Sequence, residues 1–150
     1  MSGMKDLTCR PASAEDLGTL QKMYGELDPA RGEPELARLE EVWREVEANR
    51  STTVWIAILD GEAAGSFVLA IIPALGARCR PIAIVEDVVV RPESRGLGIG
   101  RTMMRFAMEK AREAGAYKLM LSSNLQREDA HRFYDRLGFE RHGYSFVVEL

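Results

Sequence analysis

The chain has 150 residues, of which 46% are apolar and 29% charged, with a formal net charge of -3 and two cysteines. This composition is typical of a globular protein, and we expect a single domain over residues 1–150 that needs no disulfide framework. The weak negative charge argues against nucleic-acid binding, and the sequence has neither a membrane-length apolar run nor a signal-type N-terminus. We therefore expect a cytoplasmic protein without nucleic-acid or membrane partners.

The first third of the sequence predicts one short strand and two helices. Leu7–Arg10 has the pattern of a strand. Ser13, followed three residues later by Asp16, resembles a capping box and predicts a helix extending towards Leu27. Apolar residues then recur every three or four positions over Pro34–Ala48, which predicts a second helix.

The middle of the chain predicts a hairpin followed by a buried strand. Thr53–Leu59 and Ala64–Ile72 are rich in β-branched and apolar residues, and the Asp60-Gly61 pair between them is a turn signal. Pro73–Pro81 predicts a loop. The apolar run Ile82–Val90 then predicts a strand that carries two acidic residues in its middle.

The last third predicts a helix, a strand, a helix and a final extended segment. Apolar positions mark one face of a helix from Ile99 to Ala114, which Gly115 ends. Tyr117–Ser122 predicts a strand, Asp129–Leu137 a helix, and Phe139–Glu149 one final strand or a bent pair. A helix between two apolar strands indicates parallel pairing, whereas the hairpin is antiparallel, so we expect an α/β fold with a mixed sheet.

A glycine-rich turn, Arg95-Gly96-Leu97-Gly98-Ile99-Gly100, joins the buried strand to the long helix. Its glycines allow a tight turn, and the first helical amides point outwards with the positive end of the helix dipole. The turn is therefore suited to a phosphate or pyrophosphate, although helix packing alone would also explain it. A nicotinamide motif would need glycine at Arg101, and a nucleoside-triphosphate loop would need lysine there.

Three segments in order resemble the GNAT superfamily of N-acetyltransferases. Its signature R/Q-x-x-G-x-G/A is matched by Arg95, Gly98 and Gly100. Glu86–Pro92 is similar to the family's central strand, and Ala130–Phe139 is similar to its second cofactor motif. The resemblance implies a twisted mixed sheet, flanked by helices and splayed beside the central strand.

The same resemblance implies acetyl-CoA as cosubstrate and an amine as acceptor. The pantetheine would pair with the backbone of the central strand, and the glycine turn would hold the pyrophosphate. The expected cofactor-binding residues are Val88, Val89, Val90, Arg95, Gly96, Leu97, Gly98, Ile99, Gly100, Arg101, Asn124, Ala130, Phe133 and Tyr134.

Two residues are candidates for catalysis. Glu86, on an otherwise apolar strand, could act through a water as the general base, because partial desolvation would raise its pKa. Strand alternation directs Asp87 to the opposite face, so that only one carboxylate would enter the cleft. By resemblance, Tyr134 would protonate the departing thiolate, and an amide of Val88 or Val89 would bind the oxyanion. The alternative for Glu86 is a structural role in a carboxylate pair, and the alternative for Tyr134 is an aromatic side chain that packs in the core.

The chain departs from the family at one position. Many members carry an asparagine seven residues before the motif tyrosine, where this sequence has Arg127, and the nearest asparagine is Asn124. His131 is a weaker candidate base, and Cys79 a weaker candidate nucleophile. His131 and His142 have no cysteine or acidic cluster at ligand spacing, so we expect no metal.

The acceptor is not specified by these motifs. Residues around Asn124 also resemble the aminoalkylphosphonate N-acetyltransferases, and the central strand is similar to that of glucosamine-phosphate acetyltransferases. Four arginines could bind a phosphonate, or could be ordinary surface residues: Arg78, Arg80, Arg127 and Arg141. A peptide acceptor, a non-catalytic CoA sensor and a structural dimerisation domain are the remaining alternatives, and a homodimer is expected only by analogy with the family.

Overall fold

The computed structural model describes residues 6–150, which form two compact units. The first unit ends at Met120 and contains a five-stranded sheet with its flanking helices. The second unit comprises Leu121–Leu150 and contains a helix over Glu128–Arg136.

The elements lie close to their predicted positions. The strands are β1 (Leu7–Pro11), β2 (Thr52–Leu59), β3 (Glu62–Ile72), β4 (Ile82–Val90) and β5 (Lys118–Met120). The helices are α1 (Leu17–Leu27), α2 (Leu36–Ala48), the single turn α3 (Gly76–Cys79), α4 (Ile99–Glu113) and α5 (Glu128–Arg136), with 3-10 turns at Ala14–Asp16 and Pro92–Ser94.

The sheet has the order β1-β2-β3-β4-β5 and is mixed, as predicted. β4 and β5 are parallel, and the other neighbouring pairs are antiparallel. The parallel pairing joins only Ile82–Ile84 to Lys118–Met120. The second half of β4 therefore has no strand partner on its β5 side within residues 6–120.

Helices cover both faces of the sheet, because each has one apolar face. α4 packs against β3 and β4, and its buried residues are Ile99, Met103, Met104, Ala107 and Ala111. On the other face, α1 and α2 form a cluster with β2 and β4, which consists of Leu17, Leu20, Met23, Trp43, Val54, Ile56 and Val89. Burial of these two apolar faces is the main force that holds the helices on the sheet.

The predicted final strand over Phe139–Glu149 is wrong. No residue after Arg136 lies in a strand, and Tyr144 and Phe146 are 87% and 93% exposed. Apolar alternation produces a strand only where a neighbouring strand completes the hydrogen-bond ladder, and Leu121–Leu150 contains no such partner.

The predicted loop Pro73–Pro81 contains the turn α3. Three consecutive residues in it, Ala77, Arg78 and Cys79, have positive φ angles of 47°, 57° and 60°. Left-handed conformations of non-glycine residues have no clear sequence signal, so residue type did not predict this turn. None of the helices over residues 6–150 is both long enough and apolar enough to span a membrane.

Candidate active site

A bulge in β4 occurs at the acidic pair. Glu86 is in register with Val68 of β3, but Ser66, two residues earlier, is in register with Val89. Asp87 and Val88 therefore both lie opposite the single residue Phe67, and Asp87 has a left-handed φ of 50°. A bulge leaves one residue out of the hydrogen-bond ladder between the strands. The pairing of β4 with β5 has also ended before this point, so backbone groups of β4 at the bulge are free to bind a ligand.

Glu86 and Asp87 are both exposed, although neighbouring atoms partly desolvate their carboxyl groups. Burial raises the pKa of Glu86, and the negative charge of Asp87 raises it further. Burial also raises the pKa of Asp87. Both effects favour the protonated form of the carboxyl group and so raise its pKa. A carboxylate that acts as a base near neutral pH requires such a raised pKa.

Asp87 also acts on Tyr24 of α1, which the sequence prediction missed. Partial burial raises the pKa of Tyr24 to about 12, with a further contribution from the charge of Asp87. Val89 belongs to the sheet face that α1 covers. The bulge interrupts the regular strand alternation, from which we predicted that Asp87 points away from the face of Glu86. The one available sequence signal was a phenol on the apolar face of α1.

The glycine turn follows β4 after Arg91 and the 3-10 turn Pro92–Ser94. Gly96 and Gly98 have φ angles of 76° and 82°, which glycine adopts without the steric penalty of other residues. Gly98 precedes the first residue of α4, and its carbonyl accepts from the amide of Thr102. The amides of the first helical turn have no intrahelical acceptors.

The surroundings of this turn suit an anion. No heavy atom lies within 4 Å of a Cβ placed on Gly96 or Gly98, so their backbone is open to a ligand. Arg95 donates from Nε to the carbonyl of Val90 at 3.3 Å, which ties the turn to β4. Ile99 is 1% exposed and packs in the core, so only its backbone is available to a ligand.

The remaining predicted site residues belong to the second unit. Tyr134 stacks edge to face with Phe133 and Phe139, with centroid distances of 5.1 and 5.5 Å. Burial raises the pKa of Tyr134, and the positive charge of Arg127 partly opposes this shift. Tyr134 therefore stays protonated at neutral pH and can act as a proton donor. Ala130, like Tyr134, lies on α5 and is partly buried.

Asn124 and His131 stabilise the loop before α5. The Oδ1 of Asn124 accepts from the amide of Gln126 at 2.9 Å, and its backbone carbonyl lies 2.8 Å from Nε2 of His131. This contact gives His131 a structural role. The Nδ2 group of Asn124 makes no hydrogen bond with residues 6–150.

Two of the four arginines considered for phosphonate binding have other partners. Arg80 donates to the carbonyls of Gly115 and Ala116 at 3.3 and 3.2 Å, just beyond α4. Arg141 forms an ion pair with Asp135 at 2.8 Å. These contacts assign structural roles to both arginines.

The chain is similar in sequence to known acetyltransferases. A model of the "Acetyltransferase (GNAT) family" matches residues 20–139. The chain is 33% identical over 152 residues to a glucosamine 6-phosphate N-acetyltransferase from Trypanosoma brucei brucei, covering 100% of both chains. It is 42% identical over 69 residues to an aminoalkylphosphonate N-acetyltransferase from Salmonella typhimurium, covering 46% of this chain and 45% of that protein.

A solved structure agrees with the same family. The putative acetyltransferase from Agrobacterium tumefaciens superposes with a TM-score of 0.90 at 31% identity, covering 95% of this chain and 99% of that one. The family match includes the whole stretch from the bulge to the end of α5, where the sequence motifs lie. The chain therefore belongs to the GNAT family and is an N-acetyltransferase that uses acetyl-CoA.

Proposed function

We propose that the chain acetylates a primary amine of a small molecule by direct attack on the thioester of acetyl-CoA. The amine nitrogen attacks the carbonyl carbon, the carbon–sulfur bond breaks, the amine loses a proton and the departing thiolate gains one. The observation that carries the proposal is the bulge at Asp87 and Val88, which lies beside Glu86 and leads into the glycine turn. The two named relatives act on small amines that bear phosphorus, which supports a small acceptor.

The cosubstrate would be held by backbone groups on the first unit. The backbone groups of Val88 and Val89 that face away from β3, and the amide of Val90, would pair with the pantetheine amides, since the Val90 carbonyl already accepts from Arg95. The open turn from Gly96 to Gly100 would bind the pyrophosphate, and Arg101 would add positive charge. We also propose that both units form one domain, because the family match crosses their boundary at Met120.

Glu86 would take the amine proton through a water. Its raised pKa supports this role, because a base is most effective when its pKa lies near the working pH. Tyr134, protonated at neutral pH, would give a proton to the thiolate. A homodimer and a cytoplasmic location stay predictions.

Ligand-dependent melting tests the cosubstrate site. Acetyl-CoA at about a hundred times its dissociation constant should stabilise the fold by about 2.7 kcal/mol. Gly98→Ala should abolish most of the rise in melting temperature, because its side chain forces the turn out of its left-handed conformation. Gly115→Ala is the matched control: Gly115 also has a left-handed φ, of 76°, but lies beyond α4, so its ligand response should persist. An equal loss in both variants contradicts the assignment of the turn.

Thiol release tests the transfer itself. The wild-type protein should release CoA in the presence of glucosamine 6-phosphate, 2-aminoethylphosphonate or 1,4-diaminobutane. Acetyl-CoA binding without release by any primary amine would contradict the proposal and favour a CoA sensor.

Two substitutions test the catalytic roles. Glu86→Gln should lower kcat at least tenfold and remove the acid limb of its pH profile, whereas Glu62→Gln on β3 should change neither. Tyr134→Phe should lower kcat without weakening acetyl-CoA binding, with Tyr144→Phe, 87% exposed in the same unit, as its control. If kcat is unchanged in either variant, the residue substituted in that variant has a structural role only.

A further inference from the structure

Tyr24 is a polar residue on the apolar face of α1, one turn before the helix ends at Leu27. Its ring is partly buried against the cluster that contains Leu20 and Val89. Its hydroxyl makes no hydrogen bond with any residue from 6 to 150. Packing explains the ring, but it does not explain the hydroxyl.

α1 contacts β4, the strand that carries Asp87, and Asp87 itself is exposed. It precedes Val89, a member of the same cluster, by two residues, and it lies in the bulge. Its negative charge is close enough to contribute to the raised pKa of the Tyr24 phenol. The same charge acts on Glu86, its neighbour along the strand. One carboxylate is thus close to both the phenol and the candidate base.

This group of side chains suits an ammonium ion. A carboxylate and a phenolic oxygen both accept hydrogen bonds, and an ammonium offers three donors. The carboxylate would supply the charge-assisted bond, which is the stronger of the two, and the phenol would fix the direction of the nitrogen. An anionic substituent of the same acceptor would be repelled by Asp87 and would have to bind elsewhere.

We infer that Tyr24 and Asp87 bind the amino group of the acceptor and orient it towards Glu86. The inference rests on the proposed function, because it assigns the acceptor end of that reaction. Glu86 takes the proton, and neither Tyr24 nor Asp87 exchanges one. Tyr24 and Asp87 are therefore acceptor-binding residues, and their loss acts on the amine more than on acetyl-CoA.

Tyr24→Phe tests this role, since it keeps the ring and removes only the hydroxyl. The test uses glucosamine 6-phosphate, 2-aminoethylphosphonate or 1,4-diaminobutane, whichever the wild-type protein acetylates fastest. The KM for this amine should rise about three- to tenfold in the variant. The KM for acetyl-CoA and the rise in melting temperature with CoA should stay unchanged. Tyr117→Phe, which removes a hydroxyl from a tyrosine outside α1, should change none of these values.

Asp87→Asn provides an independent test should Tyr24→Phe fold poorly. It should raise the amine KM more than Tyr24→Phe does, and the two changes should combine non-additively because they act on one amino group. An amine KM equal to that of the wild-type protein in either variant overturns the inference while the proposed function stands. A wild-type protein that binds CoA but acetylates none of the three amines overturns both.

Discussion

Gly65 lies against the backbone of Val89: a Cβ built on Gly65 would come within 2.8 Å of the carbonyl oxygen of Val89. The same Cβ would lie 3.0 Å from Sδ of Met103 and 3.3 Å from a methyl group of Ile99. This glycine therefore lets β3, the end of β4 and α4 approach one another directly after the bulge.

We expect Gly65→Ala to lower the free energy of unfolding by about 1–3 kcal/mol, because the methyl group overpacks this contact. It should also weaken acetyl-CoA binding, since the displaced carbonyl belongs to the strand segment proposed to bind pantetheine. Urea denaturation and ligand-dependent melting measure the two effects.

Gly18→Ala is the matched control for that substitution. Gly18 lies in α1 with an ordinary helical backbone, and no heavy atom lies within 4 Å of a Cβ placed on it. Alanine favours a helix over glycine by up to about 1 kcal/mol, so this variant should be more stable than the wild-type protein. A neutral Gly65→Ala beside a stabilised Gly18→Ala would contradict the close approach at Val89.

Local patterns predicted the elements that local forces determine. The apolar face of α4, the Asp60-Gly61 turn and the positive-φ glycines of the glycine turn depend on residues near one another in the sequence. Each was predicted within a few residues of its place in the structure. The mixed sheet followed from the order of these elements.

Features that depend on distant residues were missed. The bulge at Asp87 arises from a register shift against Ser66 and Val68, and strand alternation contains no information on register. The interaction of Asp87 with Tyr24 depends on that bulge and on the packing of α1, so inspection of either segment alone did not reveal it. The strand predicted over Phe139–Glu149 failed for the same reason, since pairing needs a partner.

Acid should destabilise the protein through Asp16. Its carboxylate accepts two hydrogen bonds from Arg10, both at 2.8 Å, and one from the amide of Ser13 at 2.7 Å. These contacts, the Arg10 bond foremost, lower the pKa of Asp16 to about 2. The folded pKa lies below the unfolded one, so this contribution is present above about pH 4 and is lost as the pH falls towards 2.

Asp16→Asn should therefore reduce the loss of stability between pH 4 and pH 2. At neutral pH it should cost about 0.5–2 kcal/mol, as the loss of a capping carboxylate does. Urea denaturation at several pH values measures both effects, and Glu15→Gln next to it controls for the change of net charge. Parallel curves for Asp16→Asn and the wild-type protein would show that Asp16 does not contribute.

We expect the substitution Ser66→Ala to stabilise the folded protein. Its side chain is fully buried on β3, and its hydroxyl has no hydrogen-bond partner within residues 6–150. An unsatisfied buried hydroxyl costs about 1–3 kcal/mol, so Ser66→Ala should raise the midpoint of urea denaturation. Ala64→Ser, at a position 2% exposed on the same strand, should lower it. A clear loss of stability in Ser66→Ala would mean that the hydroxyl has a partner.

The acidic pair in the bulge should destabilise the fold as the pH rises. Burial raises the pKa of both Glu86 and Asp87, so the folded chain binds more protons than the unfolded chain between their unfolded and folded pKa values. Stability then falls as the pH rises through this range, which is the opposite of the behaviour of Asp16.

Asp87→Asn removes the charge and keeps the shape, so the variant should gain stability relative to the wild-type protein between pH 4 and pH 7. The same variant is expected to bind the amine poorly, so a gain in stability together with a loss of acceptor affinity would show that the carboxylate is kept for the reaction. A difference in unfolding free energy that stays constant from pH 4 to pH 7 would show that Asp87 is not desolvated.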